Sequence, residues 1–100
     1  MQTHPRSLLT IITEAVIERA LIADCRRFGA QGYTVYDVRG GGLGGDREGT
    51  WDADRSIELQ VVCSDEVAER IAEHVLGQYA PNYGVSLYLS EVRVFRAQKY

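Results

Sequence analysis

Apolar and polar positions along the chain follow two periods, one of about two residues and one of about three and a half, and their order repeats once. Residues 7–12 are a short, mostly apolar run, Ser7-Leu8-Leu9-Thr10-Ile11-Ile12, bounded by Pro5 and Thr13, the pattern of a strand central in a sheet and buried on both faces. Thr13 is placed to cap a following helix, with Glu14 and Glu18 near its positive end. Ile17, Leu21, Cys25 and Phe28 supply that helix with an apolar stripe, and Arg26, Arg27 and Gly29 close it. Residues 32–39 are aromatic and β-branched and predict a second strand. Further on, Ile57, Leu59 and Val61 alternate with Ser56, Glu58 and Gln60, the mark of a strand with one dry face. Ser64 caps a second helix, with Asp65 and Glu66 in its first turn. Val67, Ala68, Ile71, Ala72, Val75 and Leu76 form its buried side, and Gly77 is placed to end it. Residues 80–84 read as a loop. Residues 85–95 read as a fourth strand whose apolar parity shifts between Leu89 and Val92, predicting a bulge or bend near Ser90 and Glu91.

The order β-α-β-β-α-β predicts one α+β domain over residues 1–100, after a polar leader at 1–6. Its simplest solution is a ferredoxin-like sandwich, a four-stranded antiparallel sheet with two helices on one face. Two helices cover only one side, so apolar or aromatic residues on the other, such as Tyr33, Val35 or Tyr88, would want a partner subunit.

Between the two halves, residues 39–49 hold most of the chain's ten glycines. Glycine at this density offers no side chains to pack, and its amides can approach a ligand closely; successive N–H groups facing one concavity attract anions, phosphate above all. A ligand-free hairpin linker is the other reading. Gly40, Gly42 and Gly45 satisfy G-x-G-x-x-G, but residues 46–52 have no helical apolar period, so no helix N-terminus is there to meet a pyrophosphate. A Walker A loop needs Lys and then Ser or Thr after its last glycine, and Gly45 is followed by Asp46 and Arg47.

Composition narrows the remaining classes. A net charge of −3 with scattered basic residues argues against binding nucleic acid. Cys25 and Cys63 stand alone, without metal-ligand spacing, and read as buried thiols of a cytoplasmic protein. No apolar run is long enough to span a membrane. His4 and His74 lack a neighbouring nucleophile or paired carboxylate, so neither a catalytic nor a metal site is expected. Tyr79 and Tyr83 read either as packing or as a stacking surface for a base.

The segment Gly32-Tyr33-Thr34-Val35, with Val38-Arg39-Gly40-Gly41-Gly42 after it, resembles the second strand and early T-loop of PII signalling proteins, whose pattern is G-x-T-V, a basic residue and G-x-G. Residues 79–92 and Arg96-Ala97-Gln98-Lys99-Tyr100 are similar to the PII-like branch associated with bicarbonate transport and carboxysomes. The similarity covers nearly the whole chain after Arg6. It implies a homotrimer that signals without catalysis, with an adenine nucleotide in each cleft between subunits and a T-loop, here residues 40–55, over its phosphates. Carried over by position, Thr34 and the backbones of Gly32 and Val62 meet the adenine side. Gly40, Gly41 and Gly42 open the loop near the ligand, Gly84 lines the cleft across the interface, and Arg96 meets phosphate.

The family pattern has three further phosphate-directed cations, at positions where this chain carries Gly45, Val85 and Gln98. Their absence favours ADP or AMP over ATP, with Lys99 or Arg47 compensating in part. No tyrosine stands between Arg39 and Arg55, so uridylylation has no target there. The carboxysome-linked relatives imply bicarbonate as a second ligand, with Arg39, Arg47 or Arg55 balancing its charge. Ordering of the loop would then display a surface to a bicarbonate transporter or a carboxysome-related protein. The competing readings are a structural ferredoxin-like trimer and a small anion-binding module without nucleotide sensing.

Overall fold

The computed structural model describes residues 1–43 and 55–100, together with the backbone of 45–47. In chain order the elements are β1 (His4–Glu14), a 3₁₀ turn (Ala15–Ile17), α1 (Glu18–Arg27), β2 (Thr34–Val38), β3 (Gly40–Gly42), β4 (Gly45–Arg47), β5 (Ser56–Cys63), α2 (Asp65–Gln78), β6 (Val85–Val94) and a closing 3₁₀ turn (Ala97–Lys99). Four strands form one antiparallel sheet in the order β2-β5-β1-β6. This is the ferredoxin-like α+β sandwich that the order of elements predicts.

Alternation along the two central strands decides which face is dry. Leu9 and Ile11 of β1 lie opposite Val61 and Leu59 of β5, and all four are fully buried. Ile17, Leu21 and Cys25, with Ala68, Ile71 and Val75 of α2, close over them, so both helices cover this face. Val35 lies opposite Leu59 and packs against the same core, which removes it from the open face. That other face carries Leu8, Ile12, Tyr36, Val62, Tyr88 and Val92, none of them fully buried and Tyr88 53% exposed.

Several local expectations give way to tertiary contacts. β1 begins at His4, inside the stretch expected as a polar leader, because β6 runs far enough to pair Val94 with His4 and Arg93 with Pro5. Thr13 does not cap α1: it stays in β1 and donates from Oγ1 to the Gly84 carbonyl at 2.8 Å. The end of α1 is as expected, with Gly29 at φ +111° and the paired Gly29 N–H to Arg26 and Ala30 N–H to Cys25 hydrogen bonds of a Schellman motif. Ser64 caps α2 through Val67 N–H at 3.2 Å, also as expected. The buried stripe of α2 runs through Ala68, Ile71 and Val75 to Tyr79. Leu76, one residue and about 100° round from Val75, is therefore 57% exposed. Gly77 lies inside α2, which runs to Gln78 and is capped by Tyr79.

No bulge interrupts β6. Its register against β1 is continuous from Thr13↔Val85 to His4↔Val94. The parity shift instead records a change of apolar face. Val85, Leu87 and Leu89 share the helix-covered side with Leu9 and Ile11, whereas Val92 and Val94 stand on the open side with Arg6 and His4.

Candidate functional site

The glycine segment forms a small ribbon in which Gly40, Gly41 and Gly42 pair with Arg47, Asp46 and Gly45. A Cβ added at Gly40 or Gly42 would meet nothing within 4 Å, and neither has the positive φ that Gly29 has. Among the described residues, nothing in packing or backbone conformation calls for glycine at these two positions. Room is left for something outside the chain to approach the backbone closely.

The other expected ligand residues are distributed over the sheet. Thr34 opens β2 opposite Gln60 of β5, and Val62 lies one step further along on the same open face, opposite Leu8. Gly32 precedes β2, with open space where a Cβ would be, and Arg39 joins β2 to the ribbon. Thr34, Gly32 and Arg39 belong to the β2 edge, with Val62 on the adjoining strand β5. Gly84, Arg96 and Lys99 flank β6, the opposite edge, three strand spacings or about 14 Å away. Gly84 stands just before one end of this ten-residue strand and Arg96 just past the other, and the strand between them is about 33 Å long. A single chain therefore does not gather the expected site, and a second copy that sets its β6 edge beside the first copy's β2 edge brings one end of β6 to it, Gly84 or the Arg96–Lys99 end, but not both.

Three polar arrangements hold these positions. Around Gly84, Thr13 Oγ1 donates to the carbonyl and Glu14 Oε2 accepts the amide hydrogen at 2.7 Å. Beside the ribbon, Arg55 pairs with Asp37 at 2.8 Å, and the Arg55 carbonyl accepts from Ala15 N–H at 2.9 Å. At the far end, Arg6 donates from Nη2 to the Ala97 carbonyl at 2.9 Å and from Nε to that of Tyr100 at 3.4 Å.

Away from both edges, Asp24 of α1 accepts hydrogen bonds from Arg27 and the Tyr79 hydroxyl, and lies 3.1 Å from His74 Nε2. Burial works to raise the Asp24 pKa, but the bonds from Tyr79, Arg27 and His74 outweigh it and hold the carboxyl below its usual value. Burial, then the bond to Asp24, pushes the Tyr79 phenol up to about 12. Tyr79 also meets the Tyr83 ring edge-on at 6.4 Å centroid separation, so these two aromatics pack rather than present a base-stacking surface. Burial raises the Cys25 thiol to about 12 and the Cys63 thiol to about 11, leaving both as inert neutral groups at physiological pH. Among the described residues no cluster of three or more His, Cys, Asp or Glu side chains could hold a metal, and no helix is long and apolar enough to cross a membrane.

The profile of nitrogen regulatory protein P-II matches residues 6–99. This chain belongs to the P-II family. Its fold matches a PII-like signalling protein of Thermus thermophilus at 38% identity and a TM-score of 0.87, over 100% of this chain and 99% of that one. CPII of Thiomonas intermedia K12, a PII-like protein solved with ADP, AMP and bicarbonate bound, matches at 22% identity and a TM-score of 0.88, over 98% and 95% of the two chains. The ATP complex of GlnK from B. subtilis matches less closely, at 17% identity and a TM-score of 0.55, over 90% and 85%.

Within this P-II chain, sequence reasoning missed Arg6, Glu14 and the Asp24–Tyr79–His74 cluster. Their partners are 91 to 94, 70, and 50 to 55 residues away, separations at which no periodicity or spacing rule connects two positions. The only local cue is that Tyr79 continues the buried stripe of α2 one turn beyond Val75.

Proposed function

We propose that this chain is a non-catalytic signalling protein that binds an adenine nucleotide, ADP or AMP in preference to ATP, in clefts between the subunits of a homotrimer. Bicarbonate is the second ligand, and the conformation of the segment carrying β3 and β4 is the output. The observation that carries this reading is the division of the ligand residues between opposite sheet edges. Thr34, Gly32 and Arg39 lie on the β2 edge, with Val62 on the adjoining strand, and Gly84, Arg96 and Lys99 flank the β6 edge. A seam between identical chains unites such halves, and the open face with Tyr36, Tyr88 and Val92 offers apolar surface to hold the seam closed.

In this arrangement Thr34 and the backbones of Gly32 and Val62 meet the adenine. Gly84 and Arg96, at opposite ends of β6, reach one cleft only from different subunits: Gly84 lines it, while Arg96, with Lys99 or Arg47, pairs with phosphate oxygens. The backbone of Gly40, Gly41 and Gly42, with open space at the Cβ positions of Gly40 and Gly42, approaches the phosphates, and Arg39 balances the charge of an added bicarbonate. CPII, bound to ADP, AMP and bicarbonate, supports the choice of ligands. The receiver of the signal is a bicarbonate transporter or a carboxysome-related protein that reads the altered ribbon.

Calorimetry with ADP, AMP and ATP, each with and without bicarbonate, tests the reading. ADP or AMP should bind more tightly than ATP, and bicarbonate should change the nucleotide affinity, since two linked ligands alter each other's binding by the same factor. Absence of binding to all three nucleotides leaves the structural trimer. Nucleotide binding indifferent to bicarbonate removes the carbon signal. In light scattering the protein should have three times the chain mass, and Tyr88→Asp, which places a charge on the open face, should shift it to the monomer. A wild-type monomer in solution would overturn the seam.

A further inference from the structure

The closing 3₁₀ turn, Ala97–Lys99, lies beyond the last strand pair of the sheet, His4↔Val94, and buries no residue. Strand pairing therefore does not hold it, and apolar burial contributes little. Its own hydrogen bonds, Lys99 N–H to Arg96 at 3.1 Å and Tyr100 N–H to Ala97 at 3.3 Å, are local. The long-range contact is Arg6. One guanidinium donates to the carbonyls of Ala97 and Tyr100, and also to Pro5 at 2.8 Å. Residues 97 and 100 are three apart, the interval at which positions of a 3₁₀ turn eclipse, so their carbonyls suit one planar fork. Ala97 and Tyr100 are half-buried toward this contact, whereas Arg96 and Lys99 are exposed.

We propose that Arg6 is a positioning residue for the phosphate end of the nucleotide site. By holding the closing turn against the first residues of β1, it presents Arg96 and Lys99 together, so that the phosphates meet two cations already in place. This inference rests on the nucleotide-binding reading above. Arg6 itself spends its donors on three carbonyls and acts through the turn. Without it the turn is free to take other conformations, and the ligand would have to order several residues as it binds, at a cost to affinity. Lysine is a poor replacement, because a compact ammonium does not reproduce the fork that spans two carbonyls.

Calorimetry with ADP and AMP on five proteins tests this: wild type, Arg6→Ala, Arg6→Lys, the Arg96→Ala/Lys99→Ala pair, and the triple variant. Arg6→Ala should weaken ADP about tenfold and AMP less, and Arg6→Lys should restore only part of the loss. In the triple variant the loss of Arg6 should add little to that of the pair, because Arg6 then has no cations to position. Full additivity, or unchanged ADP binding by Arg6→Ala, overturns the proposal. Should Arg6→Ala fail to fold, a chain ending at Arg96 keeps Arg6 and removes the turn. It should lose ADP affinity to a similar extent, and undiminished binding would be equally fatal. Wild-type protein that binds neither nucleotide would bring down the functional reading and this inference together, whereas normal wild-type binding with indifferent variants brings down this inference alone.

Discussion

Glu14 accepts the amide hydrogen of Gly84 on Oε2 at 2.7 Å, joining the last residue of β1 to the residue before β6 across a separation of 70. Thr13, one residue earlier, donates to the carbonyl of the same glycine. Both backbone polar groups of Gly84 are thus held from one side, which fixes where β6 begins.

Replacing Glu14 with Ala is expected to cost about 1 kcal/mol, because the amide exchanges a carboxylate for water at an exposed site. Glu14→Gln keeps an acceptor and should cost less. Urea unfolding of both variants measures the difference, and equal midpoints for Ala and wild type would show that the contact contributes nothing. If Gly84 lines the ligand cleft, Glu14→Ala should also weaken ADP several-fold in calorimetry.

Glycines at 29 and 42 should respond oppositely to substitution. Gly29→Ala puts a Cβ at φ +111°, 3.3 Å from Val67 Cγ2, and should destabilise the fold by about 1–2 kcal/mol. Gly42→Ala meets open space at an ordinary φ and should leave the melting temperature within a degree or so of wild type, while weakening nucleotide binding. Thermal melts paired with calorimetry separate the two. A large stability loss at Gly42, or none at Gly29, would contradict the geometry.

The Asp24–Tyr79 pair predicts the pH dependence of stability at both ends. The folded Asp24 pKa is depressed, so its contribution is present above the unfolded carboxyl value near 4 and is lost as pH falls through the folded value. The Tyr79 pKa is raised to about 12, so that contribution is present below the unfolded phenol value near 10 and is lost as pH rises through the folded one. Melting temperature against pH should fall less steeply below pH 4 in Asp24→Asn, and less steeply above pH 10 in Tyr79→Phe, than in wild type. Parallel curves for all three proteins would remove the pair as the cause.

The buried stripes of β1, β5 and α2, the Ser64 cap and the Gly29 terminator were legible along the chain, because each depends on neighbours within one or two turns or on alternation within one strand. The order of those elements was enough to predict the four-stranded sheet and its two covering helices. The glycine pattern and the arginine following β2 carried the P-II resemblance. Where Thr13 and Leu76 would point was not legible. Thr13 chooses between capping a helix and binding the Gly84 carbonyl, which only folding brings close, and Leu76 lies about 100° round the helix from the stripe through Val75 and Tyr79 that the sheet selects.

Sequence by itself thus determined the four strands of the main sheet, the two helices, their order and the family, since these depend on periodicity and on short spacings that survive without a third dimension. Tertiary structure alone decided that β1 starts at His4, that the expected ligand residues are divided between opposite sides of the sheet, and that Arg6 and Glu14 brace the two ends of the β6 edge. The physical reason is that a hydrogen bond between residues 70 or 91 apart is set by strand register and sheet order, which the whole fold fixes at once and no local stretch encodes.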